Sequence, residues 1–178
     1  MLRLFFALQA TPEQNAALAA QAAPLAARLG AQVSPAENLH ATLCFIGMIE
    51  AARLDALRAA AATLRGRPVS LSFDALEYWE TPKILCATSS WDSSSANELS
   101  IALGEAAVAA GFSPDIKPFR AHVTLARKIS AAVAATAPWP LPLTPPIAVR
   151  ADKFVLMSSR REEARSIYSV VDCWPLYD

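Results

Sequence analysis

The chain is poor in the residue types on which several common chemistries rest. Across 178 residues it carries two histidines, three cysteines and five glycines. The cysteine count is odd, and each thiol sits among apolar neighbours: Cys44 in TLCFI, Cys86 in ILCAT, Cys173 in VDCWP. They read as buried thiols of a reducing cytoplasm, not as a disulfide framework, and no CxxC or Cys/His spacing suggests zinc. No Gly-rich phosphate loop appears, and no carboxylate cluster of the kind a two-metal phosphoesterase uses. No apolar run approaches the length of a membrane span. Sixteen Lys and Arg balance sixteen Asp and Glu. Zero net charge argues against an extended footprint for duplex DNA or an anionic membrane, and leaves room for a local pocket that takes a small anion. A soluble cytoplasmic protein is expected.

What is present is enough for one domain with a sizeable core, since 54% of residues are hydrophobic. The opening MLRLFFALQA is too short and mixed for a signal peptide, and reads as a strand over 2–9. It runs into TPEQ, a helix start with Thr11 as N-cap, Pro12 at N1 and Gln14 at N3. Leu18, Ala22, Leu25 and Leu29 continue that helix to Gly30, with Pro24 expected to kink or shorten it. A second helix holds Leu54, Leu57, Ala61 and Leu64. A third opens on a capping box of Ser95 and Glu98 and ends at Gly111. Strands are expected over 39–46, 69–79, 83–89, 120–126, 147–158 and 165–173. The five prolines of APWPLPLTPP, residues 137–146, predict an irregular extended loop. The βαβ rhythm of a doubly wound sheet is missing, so an α+β fold of mostly antiparallel sheet is expected, as one two-lobed domain over residues 1–178.

Both histidines open the same tetrad, His-x-Thr-Leu: His40 in NLHATLCFIG and His122 in FRAHVTLARK. On a strand, residues i and i+2 share a face. His40 and Thr42 therefore point one way, with Ala41 and Leu43 behind them; His122 and Thr124 repeat this with Val123 and Leu125. One tetrad in the middle of each half suggests two lobes facing each other across a cleft. Two imidazoles near pKa 6.5 suit paired acid and base work at neutral pH. Two hydroxyls beside them can donate to non-bridging phosphate oxygens. The set matches in-line attack at a phosphodiester, and it needs no metal. A single His on an apolar strand is more often structural; the duplication is what argues for a functional pair.

HATL and HVTL resemble the paired His-x-Thr-x signatures of the two-histidine (2H) phosphoesterase superfamily. RLFFAL, NLHATLCFIG and PFRAHVTLAR, with the tail FVLMSSRREEARSIYSVVDCWPL, resemble its RNA 2′,3′-cyclic phosphodiesterases, also described as 2′-5′ RNA ligases. The resemblance implies a bilobal α+β fold with pseudo-twofold symmetry and no cofactor. It implies hydrolysis of a terminal 2′,3′-cyclic phosphate to a 2′-phosphomonoester. It gives His40 the role of proton donor to the leaving oxygen, His122 that of base, and Thr42 and Thr124 that of phosphate binders; the near-symmetric tetrads do not themselves assign acid and base. It also suggests Arg127 as a phosphate clamp, although strict alternation puts Arg127 on the face opposite His122. Arg120 stands where the resemblance leads one to expect another histidine.

Phe6, Trp79 and Phe119 are candidates for base stacking, with core packing as the default. Tyr168 is a candidate for the cleft wall, and RREEAR at 160–165 for a hairpin tip near an RNA backbone. RNA ends or small cyclic-phosphate nucleotides are the expected partners of a monomer with no membrane and no obligatory protein partner. Other readings are 2′-5′ RNA ligation, an ADP-ribose cyclic phosphate substrate, and a non-catalytic RNA-end-binding module.

Overall fold

The computed structural model describes every residue except Asp92, Glu163, Ala164 and Asp178, with Arg165 described by its backbone alone. Among the described residues, nine strands run in one sheet: β1 Leu2–Leu8, β2 Gln32–Val33, β3 Ala41–Ile49, β4 Val69–Trp79, β5 Ile84–Thr88, β6 His122–Arg127, β7 Leu141–Ala151, β8 Lys153–Glu162 and β9 Arg165–Pro175. The order is β7-β4-β5-β6-β3-β1-β8-β9, and β2 pairs with β6. All recorded pairings are antiparallel. Helices α1 Pro12–Arg28, α2 Leu54–Ala62, α3 Ser94–Ala109 and α4 Ala131–Ala134 complete the α+β fold.

The sheet consists of two halves, β3-β1-β8-β9 and β6-β5-β4-β7, each with a tetrad strand at its inner margin. They meet at the pair Ala41↔Val123. Each half is built as strand, helix, tetrad strand: β1-α1-β3 and β5-α3-β6. The helices then cross over. α1 packs on β7 and β6 of the other half, and α3 on β3. Both end in the same cap. Gly30 at φ +59° and Gly111 at φ +79° supply the left-handed residue, and paired amides of Gly30 and Ala31, and of Gly111 and Phe112, bond back to the last turn. The segment after α1 pairs with β6 through β2, while the segment after α3 bridges Phe45 of β3 through Asp115. Each half thus braces the other's tetrad strand, which is the expected pseudo-twofold relation in physical form.

Several expectations need correction. α1 runs unshortened through Pro24, because the ring lies on the exposed side while Leu18, Ala22, Leu25 and Ala26 stay buried. That burial outweighs the ~3 kcal/mol a helical proline costs. The capping box at Thr11 and Gln14 is present, but α3 is capped by Ser93, whose hydroxyl accepts from the Ala96 amide; Ser95 lies inside the helix. The proline-rich stretch is irregular over residues 137–140 only. Residues 141–146 open β7, an edge strand, where proline's missing donor costs little, and a register shift opposite Phe73 and Ala75 absorbs them. The run 147–158 is two strands in different halves, separated at Asp152. Cys44 and Cys86 are buried, but Cys173 on the edge strand β9 is exposed.

Candidate functional site

The register sets the geometry of the site. With Ala41 opposite Val123, antiparallel pairing puts His40 across from Thr124 and Thr42 across from His122. Directly opposed residues are ~5 Å apart at Cβ and diagonal ones ~7–8 Å. Four functional groups therefore form a square on one face, with the two histidines on a diagonal. All four are half-buried, while Ala41 and Val123 between them are packed away at 3% and 4% exposure.

Each tetrad leucine is the extra residue of a β-bulge. On β3, Ala7 pairs with Thr42 and Phe6 with Cys44, leaving Leu43 unmatched. On β6, Cys86 pairs with Thr124 and Leu85 with Ala126, leaving Leu125 unmatched. Their carbonyls are satisfied from outside the ladder: the buried Ser100 hydroxyl of α3 donates to Leu43 (2.6 Å), and the Ser34 amide donates to Leu125 (2.8 Å). A bulge resets the alternation of all that follows. Arg127 is thereby returned to the face of His122, correcting the opposite-face expectation. Its guanidinium donates to the Tyr168 hydroxyl at 3.3 Å. Phe45 is its pseudo-symmetric counterpart, paired with Phe5 as Arg127 is with Ile84.

The ring nitrogens are fixed in the same manner on both sides. Nδ1 of His40 lies 2.7 Å from the Asn38 carbonyl, and Nδ1 of His122 lies 2.8 Å from the Arg120 carbonyl. A carbonyl only accepts, so Nδ1 carries the proton in each and the neutral ring turns a bare Nε2 to the cleft. Burial lowers the pKa of His40 to about 4; the Asn38 carbonyl opposes this, and the charges of Arg127 and His122 add to it. His122 is lowered as well, first by burial and then by the charge of Arg120, against the pull of the Arg120 carbonyl.

The surroundings differ between halves. His40 is flanked by the rings of Phe5 (4.9 Å) and Tyr168 (5.0 Å), over a small apolar cluster of Phe5, Ala7, Val155 and Met157. His122 is backed by Trp79 at 4.6 Å, and Trp79 by a polar network centred on Glu77. That carboxylate accepts from the Arg120 guanidinium (2.6 and 2.7 Å), Trp79 Nε1 (3.1 Å) and Thr88 Oγ1 (3.0 Å). Burial alone would raise Glu77; the hydrogen bonds and the Arg120 charge hold it below the usual carboxylate range.

Of the residues singled out from sequence, His40, Thr42, His122, Thr124 and Arg127 converge, with Tyr168 and Trp79 beside them. Phe6 is 1% exposed in the core and presents no stacking face, while Phe119 is half-buried and packs against the core. Arg120 is paired to Glu77. At the RREEAR tip, Glu163 and Ala164 lie outside the described residues. Glu77 was missed; its signal was a carboxylate two residues before Trp79 on the same strand, and so on the same face.

Two stretches, residues 7–85 and 92–168, match the LigT-like phosphoesterase family, each containing one tetrad. The chain belongs to that family. It is 27% identical over 144 residues to the RNA 2′,3′-cyclic phosphodiesterase of Escherichia coli (strain K12), covering 79% of this chain and 77% of that one. The crystal structure of E. coli LigT complexed with 3′-AMP aligns with this LigT-like phosphoesterase at a TM-score of 0.86 and 26% identity, covering 99% of both chains. TT0787 of Thermus thermophilus shares the fold, with a TM-score of 0.75 at 22% identity and 97% of both chains covered. Among the described residues, no helix is long and apolar enough to cross a membrane.

Proposed function

We propose that this two-histidine phosphoesterase hydrolyses 2′,3′-cyclic phosphodiester ends of RNA to 2′-phosphomonoesters. The observation that carries the reading is the pair of Nε2 atoms, each set by an Nδ1–H bond to a backbone carbonyl, diagonal across two threonine hydroxyls. With the cyclic phosphate seated between the strands, Thr42, Thr124 and Arg127 hold the non-bridging oxygens, whose charge grows in the transition state. One neutral imidazole takes a proton from the attacking water. As the new P–O bond forms, the P–O3′ bond breaks, and the second ring, protonated, gives its proton to O3′. The family resemblance makes His40 that donor and His122 the base. Both rings are held neutral in the free protein, so the donor gains its proton with the substrate: a phosphodiester anion beside Arg127 offsets that charge and raises both imidazoles. The similarity to an E. coli RNA 2′,3′-cyclic phosphodiesterase supports the choice of substrate. Both tetrads come from one chain, supporting a single two-lobed domain that acts as a monomer. Three free thiols support a reducing, cytoplasmic setting.

The test is product analysis with a nucleoside 2′,3′-cyclic phosphate and a short RNA bearing the same end, with and without EDTA. The expected product is the 2′-phosphomonoester, at a rate EDTA leaves unchanged. A 3′-phosphate product overturns the regiochemistry. Activity lost to EDTA and restored by a divalent ion overturns the metal-free mechanism. Tight binding of the cyclic end without turnover returns the site to an RNA-end-binding role.

A further inference from the structure

A groove leads away from the tetrads on the cleft face. Its lining begins at Asn38, Arg127 and Tyr168, the residues that hold or flank His40. It continues between the β2 segment and the turn at Lys83 on one wall, and the β8–β9 ladder on the other, to Arg3, Arg160 and Arg161. Six cationic side chains line it: Arg3, Lys83, Arg127, Lys128, Arg160 and Arg161. Two carboxylates, Glu37 and Glu162, share the lining. In a chain whose net charge is zero, this is a strong local concentration of one sign. Arg160 bonds Glu162 at 2.8 Å, with the two side chains 71% and 51% exposed. An ion pair so exposed is weak, and a phosphate can compete for the guanidinium. Val33 and Met48, 45% and 57% exposed, add apolar surface to the same lining.

We infer that this groove is a track for the upstream phosphates of a single-stranded RNA whose 3′ end lies at the histidines, an inference that rests on the cyclic-phosphate reading of the tetrads. The strand register gives the length. Leu8 lies level with Ala41, beside His40, and Arg3 lies level with Met48 and Ser159. Five residues of β1 span ~16 Å. At ~3.4 Å per stacked nucleotide, that holds about four or five nucleotides. Cations along a groove with interspersed apolar surface are what a single strand requires: charge for the backbone, and faces for the bases. Cations stand on both walls, Lys83 on one and Arg160 and Arg161 on the other, so the backbone of one strand lying between them meets positive charge on either side. The track makes the protein selective for oligonucleotide ends over free cyclic mononucleotides, through KM rather than kcat.

The test measures anisotropy of a fluorescently labelled single-stranded RNA of about six nucleotides with a 3′-terminal phosphate, across a salt series. The six-mer should bind roughly 10-fold or more tightly than a 3′-phosphorylated mononucleotide competes. Each neutralised phosphate adds ~0.7 to the steepness of log affinity against log salt for a single strand. The double variant Arg160→Gln/Arg161→Gln should flatten that slope by about 1 to 1.5 and raise KM for a cyclic-ended six-mer. Its hydrolysis of a cyclic mononucleotide should be unchanged. Equal use of mononucleotide and six-mer overturns the track while leaving the reaction standing. A steep, Arg160- and Arg161-dependent binding slope without any cyclic-phosphate cleavage keeps the track and overturns the reaction. Displacement of the six-mer by polyglutamate as readily as by unlabelled RNA overturns the assignment to nucleic acid.

Discussion

The chemistry rests on how four side chains are held. Burial and like charge keep both imidazoles below the ordinary pKa of 6.5. The singly protonated pair, the form with one acid and one base, therefore dominates in the free protein only on the acid side of that value. The profile of kcat/KM should be a bell with its optimum below about pH 6.5, while that of kcat lies higher because bound phosphate raises both rings. A kcat/KM optimum above about pH 7 would contradict the neutral free site. The threonines act differently. Thr42→Val and Thr124→Val keep shape and strand propensity and delete one donor to a charged oxygen, worth ~1.5–3 kcal/mol. Each should lower kcat/KM about 10- to 100-fold with the limbs of the bell in place; wild-type rates in both would make the hydroxyls structural.

At the scale of elements, the bulges decide what reaches the cleft. The tetrads and their shared face were legible because i and i+2 alternation needs only that His40, Thr42, His122 and Thr124 lie on strands. Nothing in the pattern marks Leu43 and Leu125 as unpaired extras, because a bulged leucine and a ladder leucine bury alike, and Arg127 was consequently placed on the wrong face. The proline-rich start of β7 was hidden for a related reason: whether proline is tolerated depends on the strand being an edge, a fact of topology. Arg127→Gln should lower kcat/KM about 10- to 100-fold through the lost charged contact. It should also move the His40 limb to higher pH, since the Arg127 charge helps depress that ring. A limb that stays put would separate Arg127 from the site. Glu77 acts through others, balancing Arg120 and bracing Trp79 behind His122. Glu77→Gln keeps the shape, unbalances Arg120, and should shift the His122 limb to lower pH; loss of thermal stability with an unmoved limb would make the network merely structural.

For the whole molecule, the repeated order of strand, helix and tetrad strand was visible as two motifs, one in each half. The exchange that makes it a single site was not. β2 reaches β6 and Asp115 reaches β3, long-range pairings of two residues and one that leave no periodic trace. Through them each half fixes the tetrad of the other, so the histidines work as one unit and should fail as one. The direct test of that claim is a double-mutant cycle on His40→Ala and His122→Ala, read in kcat/KM for a 2′,3′-cyclic phosphate with folding checked by circular dichroism. Each single change should remove ~10²–10⁴-fold, and the double variant should lose far less than the product of the two, because both protons move in one displacement. Near-normal activity in either folded single variant, or losses that simply multiply, would contradict a paired acid and base.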